Sequence, residues 1–285
     1  MALRRSALHP VAAATGAAFQ ERHGWDLATV YSTVEEEYLA LTTAAGVHDA
    51  SYTGRLRAIG ADGLDLLNRL STNKVLDLQP GQGAPTILTT ARGRILDLIG
   101  VVNVDDYILL ITSPGAQQQV IDWLDKYTIM EDLVVEDITG ESTMLSVLGP
   151  ASKAAVESAA GTSLNELPPY HSVTAEMAGH QVRIVNRPFG GLPSFDLLMD
   201  PDASAGVWDH LSKSGVPPVG EEALEAVRLS YAVPAYGHEL GESYNPLEAG
   251  LIGSIDFAKG CYIGQEVIAR LDTYQKIQKH LVRLE

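Results

Sequence analysis

The order of predicted helices and strands is the feature of this sequence that most limits its fold, because the same order occurs twice along the chain. The first pass runs from residue 52 to 137 and the second starts at Thr143. Strands are predicted from alternating β-branched residues, and helices from apolar residues three and four positions apart. The strands predicted for the first pass are 52–59, 84–89, 95–103, 107–112 and 133–137, with helices at 62–70 and 114–127.

The second pass repeats this pattern with a strand, a helix, three strands and a helix. Pro150 and Gly161 mark the ends of its first helix, as proline and glycine often do. The repetition predicts a duplicated, ferredoxin-like α+β fold. The predicted segments are an N-terminal segment at 1–50 that packs on the core, an α+β unit at 51–140, a second unit at 141–275 and a short final segment at 276–285.

Composition and charge limit the partners that the chain could have. Its formal charge of −16 repels phosphate backbones and anionic lipid, so neither nucleic acid nor a membrane is an expected partner. Its apolar stretches are too short to cross a bilayer, and its N-terminus is too weakly apolar for a secretory signal. A single cysteine cannot form an internal disulfide. The expected compartment is the cytoplasm.

Several common catalytic motifs do not occur in the sequence. It contains no phosphate-binding loop, no dinucleotide-binding glycine pattern, no paired Cys-x-x-Cys and no G-x-S-x-G nucleophile turn. The eight histidines are scattered without ligand spacing, so no metal site is expected. These features weigh against nucleotide hydrolysis, dinucleotide redox chemistry and serine hydrolysis.

Three runs of residues carry a family resemblance. The run AGVHDASYTGRLRAIG through GRILDLIGVV, at 45–102, resembles the start of the glycine-cleavage T-protein (aminomethyltransferase) fold, as does RLSYAVPAYGHELGESYNPLEAGL at 228–251. The closing KGCYIGQEVIAR, at 259–270, is similar to the signature of YgfZ-type folate-binding proteins, which support iron-sulfur proteins. The resemblance covers nearly the whole chain. It implies two related α+β units that hold tetrahydrofolate, followed by a C-terminal β-barrel that would be truncated or absent here.

The resemblance also implies folate-binding residues. Asp196, in FGGLPSFDLLMD, matches an acidic residue that grips the pteridine, and Phe189 matches an earlier aromatic. A carboxylate can accept parallel hydrogen bonds from the amine and ring N–H of a 2-aminopteridine. Arg228 could oppose the glutamate tail of folate or pair with Glu225 instead. Tyr236 and Asn73 match further positions of the family's central region.

One departure from the family concerns acid-base chemistry. Aminomethyltransferases show two adjacent aspartates within the stretch that reads RGRILDLIG here, and the second acts at the folate nitrogen. This chain has Asp97 followed by Leu98. Leucine cannot move a proton, so help worth roughly 10²- to 10⁴-fold would be missing. Neighbouring strand side chains point to opposite faces, which makes Asp97 a poor substitute unless a bulge intervenes.

The KGCYIGQE run supports two interpretations. Cys261 is the candidate catalytic residue, because a nearby lysine lowers thiol pKa values and glycines permit close approach. Alternatively, the run fastens this turn onto the core. The signature residues are Lys259, Gly260, Cys261, Tyr262, Gly264, Gln265 and Glu266.

Three functions follow from these patterns. The first is a tetrahydrofolate-binding accessory protein for iron-sulfur enzymes, whose partners would be client or assembly proteins. The second is a folate-dependent aminomethyltransferase or methyltransferase, and the third is an inert interaction module. The cysteine motif and Leu98 favour the first, whereas YGHEL and NPLEAGL favour the second. The sequence therefore predicts the accessory protein, with the transferase as the alternative.

Overall fold

The computed structural model describes residues 3–274, 277 and 279–282 and has a mixed α+β architecture. The α+β class predicted from the sequence is confirmed. The helices are α1 (His9–Ala14), α2 (Val34–Thr43), α3 (Gly63–Leu70), α4 (Gln117–Tyr127), α5 (Ser152–Ala160), α6 (Pro201–Lys213), α7 (Glu221–Ser230) and α8 (Gln265–Thr273). The strands are β1 (Ala18–Arg22), β2 (Trp25–Val30), β3 (Gly46–Asp49), β4 (Gly54–Ile59), β5 (Gly83–Thr89), β6 (Ile95–Asn103), β7 (Ile108–Thr112), β8 (Val134–Asp137), β9 (Thr143–Leu148), β10 (Ser172–Met177), β11 (His180–Asn186) and β12 (Ser194–Met199).

The chain forms two compact units. Unit 1 consists of Met1–Tyr52 and Thr139–Val233, and unit 2 consists of Thr53–Ile138 and Pro234–Glu285. Each unit is therefore built from two separate stretches of sequence.

Unit 1 contains a five-stranded antiparallel sheet with the order β10-β11-β12-β9-β3. Its core lies where α5 and α6 bury apolar side chains against one face of the sheet. The N-terminal segment adds β3 to this sheet beside β9. Helices α2 and α7 pack together around a smaller apolar cluster that includes Leu41 and Val227.

Unit 2 contains a second five-stranded antiparallel sheet with the order β5-β6-β7-β4-β8. Helices α3 and α4 cover one face through residues such as Leu66, Leu67 and Leu124. A separate apolar cluster joins the sheet residues Ile87 and Ile95 to the segment that follows Pro234. The unit 2 sheet is therefore held by its own helices and by the C-terminal stretch.

The two sheets share their strand order. In each, the first strand of the repeated pass lies beside the fourth, and the second and third continue outward from the fourth. A fifth strand pairs with the other edge of the first strand, supplied by β8 in unit 2 and by β3 in unit 1. Each sheet therefore has one strand more than the four strands of a βαββαβ unit.

Several elements differ from the sequence-based expectation. No strand or helix was predicted before residue 52, where the structure has the β1–β2 hairpin, two helices and β3. Helix α8 was also missed. The predicted start of a barrel at 276–285 falls largely outside the described residues. Across the part of the chain that the structure describes, no helix is both long and apolar enough to span a membrane.

A buried carboxylate fixes the N-terminal segment within unit 1. Glu37 on α2 is 2% exposed and accepts hydrogen bonds from the backbone N–H groups of Tyr31 (2.6 Å), Ser32 (2.8 Å) and Gly220 (2.7 Å). Hydrogen bonds to an ionised acceptor are stronger than neutral ones. Glu37 therefore joins the end of the hairpin to the start of α7.

Replacing Glu37 by Gln should lower the free energy of unfolding by about 3 kcal/mol, because an amide side chain loses the charge and turns a donor towards backbone N–H groups. Urea unfolding followed by circular dichroism measures the change. The neighbouring Glu36→Gln variant is the control, since Glu36 is exposed and should change stability by less than about 0.5 kcal/mol. Equal effects from both variants would contradict the role of Glu37.

Candidate functional site

An irregularity in the β5–β6 pair positions Asp97. The register shifts between Leu88 and Thr89, so that Leu88 pairs with Asp97 and Thr89 pairs with Ile95. Leu96 is the extra residue on β6, as in a β-bulge. Because paired residues share a face, Asp97 lies on the side of Leu88, which belongs to the core beneath α3 and α4.

Asp97 is a fully buried carboxyl group. Its Oδ1 accepts a hydrogen bond from Leu98 N at 2.9 Å, and its Oδ2 accepts one from Ser113 N at 2.9 Å. Burial raises the pKa of Asp97 from 3.8 to about 7, although the hydrogen bonds from Ser113 and Leu98 work in the opposite direction. A carboxyl group with this pKa can hold or release a proton near neutral pH.

Tyr236 belongs to the surroundings of Asp97. Burial raises the pKa of Tyr236, and the negative charges of Asp97 and Glu242 raise it further. Its hydroxyl donates a hydrogen bond to Gln119 Oε1 on α4. Tyr236, a predicted site residue, therefore lies close enough to Asp97 for the charge of that carboxyl group to act on its hydroxyl.

Leu98 faces the other side of the sheet. It pairs with Ile87 and packs against the apolar cluster formed with the C-terminal stretch. The alternation expected for Asp97 and Leu98 is present despite the bulge. Leu98 therefore has a packing role, and the titratable group of this stretch is Asp97.

Lys259 and Asn73, two of the predicted residues, are in direct contact. Lys259 Nζ donates to the backbone carbonyl oxygens of Asn68 (2.6 Å), Ser71 (2.7 Å) and Asn73 (2.8 Å) at the C-terminal end of α3. It also lies 5.1 Å from the ring centroid of Tyr262. Burial lowers the pKa of Lys259 to about 8, while Asp256 acts to raise it. Helix C-termini favour such cations.

The side chain of Asn73 is engaged within the protein. Its Nδ2 donates to Pro85 O at 2.8 Å, and its Oδ1 accepts from Lys74 N at 2.9 Å. These bonds hold the turn that Lys259 contacts.

Gly264 permits a close approach between the KGCYIGQE run and the β5–β6 turn. Its φ is +86°, and a Cβ there would lie 2.6 Å from Thr90 O. Thr89 Oγ1 donates to Ile263 O at 2.7 Å. Gln265 and Glu266 form the first turn of α8, and Gly260 has open space around it. These contacts hold the run against the β5–β6 turn.

Cys261 is exposed, and its thiol is free. It lies between the buried Lys259 and Tyr262. The run therefore has buried side chains at Lys259 and Tyr262 and an exposed thiol at Cys261.

Asp196 occupies a buried position in unit 1 on β12. Its side chain is 0% exposed, Oδ1 accepts from Ser146 Oγ at 2.6 Å, and Oδ2 accepts from Arg187 Nε. The attraction of Asp196 raises the pKa of Arg187 although burial opposes this. The carboxylate is thus paired within the protein by a guanidinium group.

Phe189 and Arg228 also lie in unit 1. Phe189 and Leu192 exchange two backbone hydrogen bonds of 3.0 Å across a glycine turn, and Phe189 packs beside the cluster of α2 and α7. Arg228 Nε and Nη2 donate to the carboxylate of Glu225 at 2.7 and 2.8 Å, and Nη1 donates to Val233 O at 2.7 Å. Glu225 is the partner that the sequence analysis offered as an alternative to folate.

A buried ion pair in unit 1 was missed by the sequence analysis. His48 Nε2 lies 2.9 Å from Glu221 Oε1, and His48 Nδ1 lies 3.1 Å from Val219 O. Burial works to lower the pKa of His48, but Glu221 and the Val219 carbonyl outweigh it and raise the pKa. These residues are far apart in sequence, so no local pattern signals the pair.

Comparison with known protein families identifies the family of this chain. Residues 8–259 match the model of the GCVT N-terminal domain. The chain belongs to the GCVT N-terminal domain family.

Relatives of this family member include both transferase sequences and a solved structure. A chloroplastic transferase-like protein of Arabidopsis thaliana is 33% identical over 263 residues, which cover 88% of this chain and 58% of that protein. An aminomethyltransferase of Geobacillus thermodenitrificans is 29% identical over 274 residues, covering 93% and 74%. The glycine cleavage system aminomethyltransferase T of Bartonella henselae has the same fold, with a TM-score of 0.84, 20% identity and coverage of 95% and 75%. The GCVT-domain chain thus spans just over half of the Arabidopsis protein and about three quarters of the other two.

The pKa of Asp97 makes the stability of this GCVT-domain chain depend on pH. The folded protein keeps the proton on Asp97 up to a pH of about 7, whereas the unfolded chain releases it near 3.8. Between these values the folded state binds more protons, so the contribution of Asp97 to stability falls as pH rises. The full effect is on the order of 4 kcal/mol.

An Asp97→Asn variant should therefore gain stability relative to the original protein as the pH is raised from 5 to 8, because asparagine never acquires the buried charge. Thermal unfolding of both proteins at matched pH values measures this difference. Asp106→Asn, at an exposed position of the same unit, is the control and should show no such trend. A pH-independent difference between Asp97→Asn and the original protein would show that Asp97 titrates normally.

Proposed function

We propose that this chain is a tetrahydrofolate-dependent one-carbon transferase of the aminomethyltransferase type. The observation that carries the proposal is Asp97, a buried carboxyl group with a pKa of about 7 beside Tyr236. The aminomethyltransferase relatives favour this function over the accessory role that Leu98 suggested. Strongly shifted carboxyl groups with a defined neighbour are typical of acid-base sites.

Tetrahydrofolate supplies nitrogens that accept a one-carbon unit. A folate nitrogen that bonds to carbon must lose a proton, and an amine that leaves must gain one. Asp97 fits both requirements, because near neutral pH it can take up a proton and return it. The backbone N–H groups of Leu98 and Ser113 orient the carboxyl group, and burial sets its pKa. The polar groups present therefore fit folate chemistry.

Asp196 is our second candidate for contact with the ligand. A 2-aminopteridine offers two adjacent N–H donors, which resemble those of a guanidinium group. Arg187 already donates to Asp196, so a pteridine would have to replace it there. We therefore rank Asp196 below Asp97. For Arg228 and Asn73, the contacts with Glu225 and Pro85 favour structural roles, while Phe189 remains a predicted neighbour of the ring.

We also propose that the two sheets arose by duplication. The shared strand order supports this proposal, as does the matching placement of a helix between the first and second strands of each pass. The fifth strand of each sheet comes from a different part of the chain, so the duplication would concern the other four strands of each sheet and their helices.

The transferase proposal is tested by ammonia release. The purified protein, given tetrahydrofolate and an aminomethylated lipoyl carrier, should release ammonia faster than a mixture without protein. Asp97→Asn should reduce the rate by roughly 10²- to 10⁴-fold, because the amide cannot move a proton. Asp106→Asn should retain full activity. A rate equal to the protein-free mixture, or an active Asp97→Asn variant, would overturn the proposal.

A second function, support of iron-sulfur proteins, rests on the exposed thiol of Cys261. A thiol that contacts a partner must be reachable, and this one is. Cys261→Ser should leave folding and tetrahydrofolate affinity unchanged but fail to restore iron-sulfur enzyme activity in cells that lack the protein. Alkylation of the original protein by iodoacetamide should be complete under native conditions. Full rescue by the serine variant would exclude this function for the sulfur.

A further inference from the structure

The guanidinium group of Arg187 in unit 1 is only partly engaged. Its Nε donates to the carboxylate of Asp196, and its backbone N donates to Ser194 O at 3.0 Å. Among the residues that the structure describes, none accepts a hydrogen bond from Nη1 or Nη2 of Arg187. The side chain is 28% exposed, and neither nitrogen is a buried atom without a partner. A ligand can therefore reach both nitrogens.

Tyr170 is held beside Arg187 through the neighbouring residue, Asn186. Tyr170 N donates to Asn186 O at 2.5 Å, Asn186 N donates to His171 O at 3.0 Å, and Asn186 Nδ2 donates to Leu167 O at 2.8 Å. Tyr170 has φ of +65°, in the left-handed region that bulky side chains rarely adopt. Such strain persists only where the surroundings hold it, and it is common at ligand sites.

The hydroxyl of Tyr170 is a second available donor. Tyr170 is half-buried, and no residue in the described part of the chain hydrogen-bonds to its hydroxyl. Burial raises the pKa of Tyr170, although the charge of Arg187 opposes this, so the phenol keeps its proton near neutral pH. Because the charge of Arg187 acts on Tyr170, the two side chains lie close to each other.

A ligand that meets these two side chains must accept hydrogen bonds, because Arg187 and Tyr170 offer donors. The N–H edge of a 2-aminopteridine would meet them donor to donor. Moving Arg187 aside to free Asp196 would leave a carboxylate that is 0% exposed without its charge partner, which is costly. Arg187 therefore favours a ligand that binds to the ion pair as it stands.

A carboxylate fits these donors better than a phosphate does. The two oxygens of a carboxylate match the Nη1 and Nη2 of a guanidinium group in one plane. The positive charge of Arg187 is balanced by Asp196, and the whole chain carries a charge of −16. A dianion would be repelled more strongly than a monoanion by these acidic groups. The preferred ligand is thus a singly charged carboxylate.

We propose that Arg187 and Tyr170 bind the carboxylate of a small organic acid in unit 1. Asp196 is then a positioning residue, which holds Nε so that Nη1 and Nη2 face the ligand. The organic acid is a ligand other than folate, and the proposal does not depend on the transferase function.

The test uses fluoroacetate as the probe and measures its ¹⁹F transverse relaxation. The protein should increase the relaxation rate of fluoroacetate but not that of fluoroacetamide, which has no charge. Arg187→Lys keeps the ion pair and loses the planar fork, so it should weaken binding on the order of tenfold. Arg183→Gln is the matched control, because Arg183 lies on β11 and its Nη1 donates to Ser172 Oγ at 3.3 Å instead. Equal relaxation of the two probes, or an unchanged Arg187→Lys variant, would overturn the proposal.

A second variant removes both charges together. Arg187→Gln combined with Asp196→Asn leaves no unpaired buried charge, so it should keep the circular dichroism spectrum of the original protein and bind no fluoroacetate. Binding by this double variant would place the probe elsewhere and contradict the proposal.

Two competing ligands test the assignment to a free organic acid. Inorganic phosphate that displaces fluoroacetate as well as acetate does would show a general anion site and overturn the assignment. Displacement by tetrahydrofolate would mean that the carboxylates of folate occupy the site, which would also overturn it. Fluoroacetate binding that persists in the presence of tetrahydrofolate would support the site. The same binding in a protein that has no affinity for tetrahydrofolate would support the site and remove the transferase function.

Discussion

The buried ammonium group of Lys259 is the interaction on which the arrangement of unit 2 depends. It closes the C-terminal end of α3 by donating to three backbone carbonyl groups, two of them in the turn that leads to β5. Those carbonyl groups lose solvent when the C-terminal stretch packs, and without the lysine they would be left as buried acceptors. Close by, Gly264 lets the same stretch touch the β5–β6 turn. The bulge that turns Asp97 inward begins directly after that turn.

Unit 1 is also held by a buried charged side chain, but of the opposite sign. Glu37 accepts hydrogen bonds from backbone N–H groups there, whereas Lys259 donates to backbone carbonyl groups in unit 2. In the pairs of Asp196 with Arg187 and of His48 with Glu221, an acidic group instead meets a basic side chain. Pairing of this kind leaves little residual charge in the interior. Asp97 differs from these two pairs because burial favours its protonated form, although the hydrogen bonds from the backbone N–H groups of Ser113 and Leu98 favour the ionised form.

The sequence predicted the parts of the fold that depend on local pattern. Strand β6 was predicted at 95–103, as observed, and helix α3 was predicted within one residue, because both have strong apolar periodicity. The N-terminal hairpin and α8 were missed, since their burial comes from distant segments. For the site, Asp196 on β12 pairs with Arg187, which follows β11, and the raised pKa of Asp97 depends on burial beneath α3 and α4. Neither the ion pair nor the burial follows from a local sequence pattern.

The origin of the fifth strand in each sheet determines how the chain can be shortened. In unit 2 the first strand of the pass, β4, is shielded by β8, which is the last strand of the same pass. In unit 1 the equivalent strand, β9, is shielded by β3, which comes from the N-terminal segment. Deleting that segment would expose the backbone of β9, an apolar strand, as a new sheet edge. Strands of other chains could then pair with that edge. A fragment that starts at β4 is thus expected to aggregate. In the full chain, the N-terminal segment prevents this because β3 covers the edge of β9.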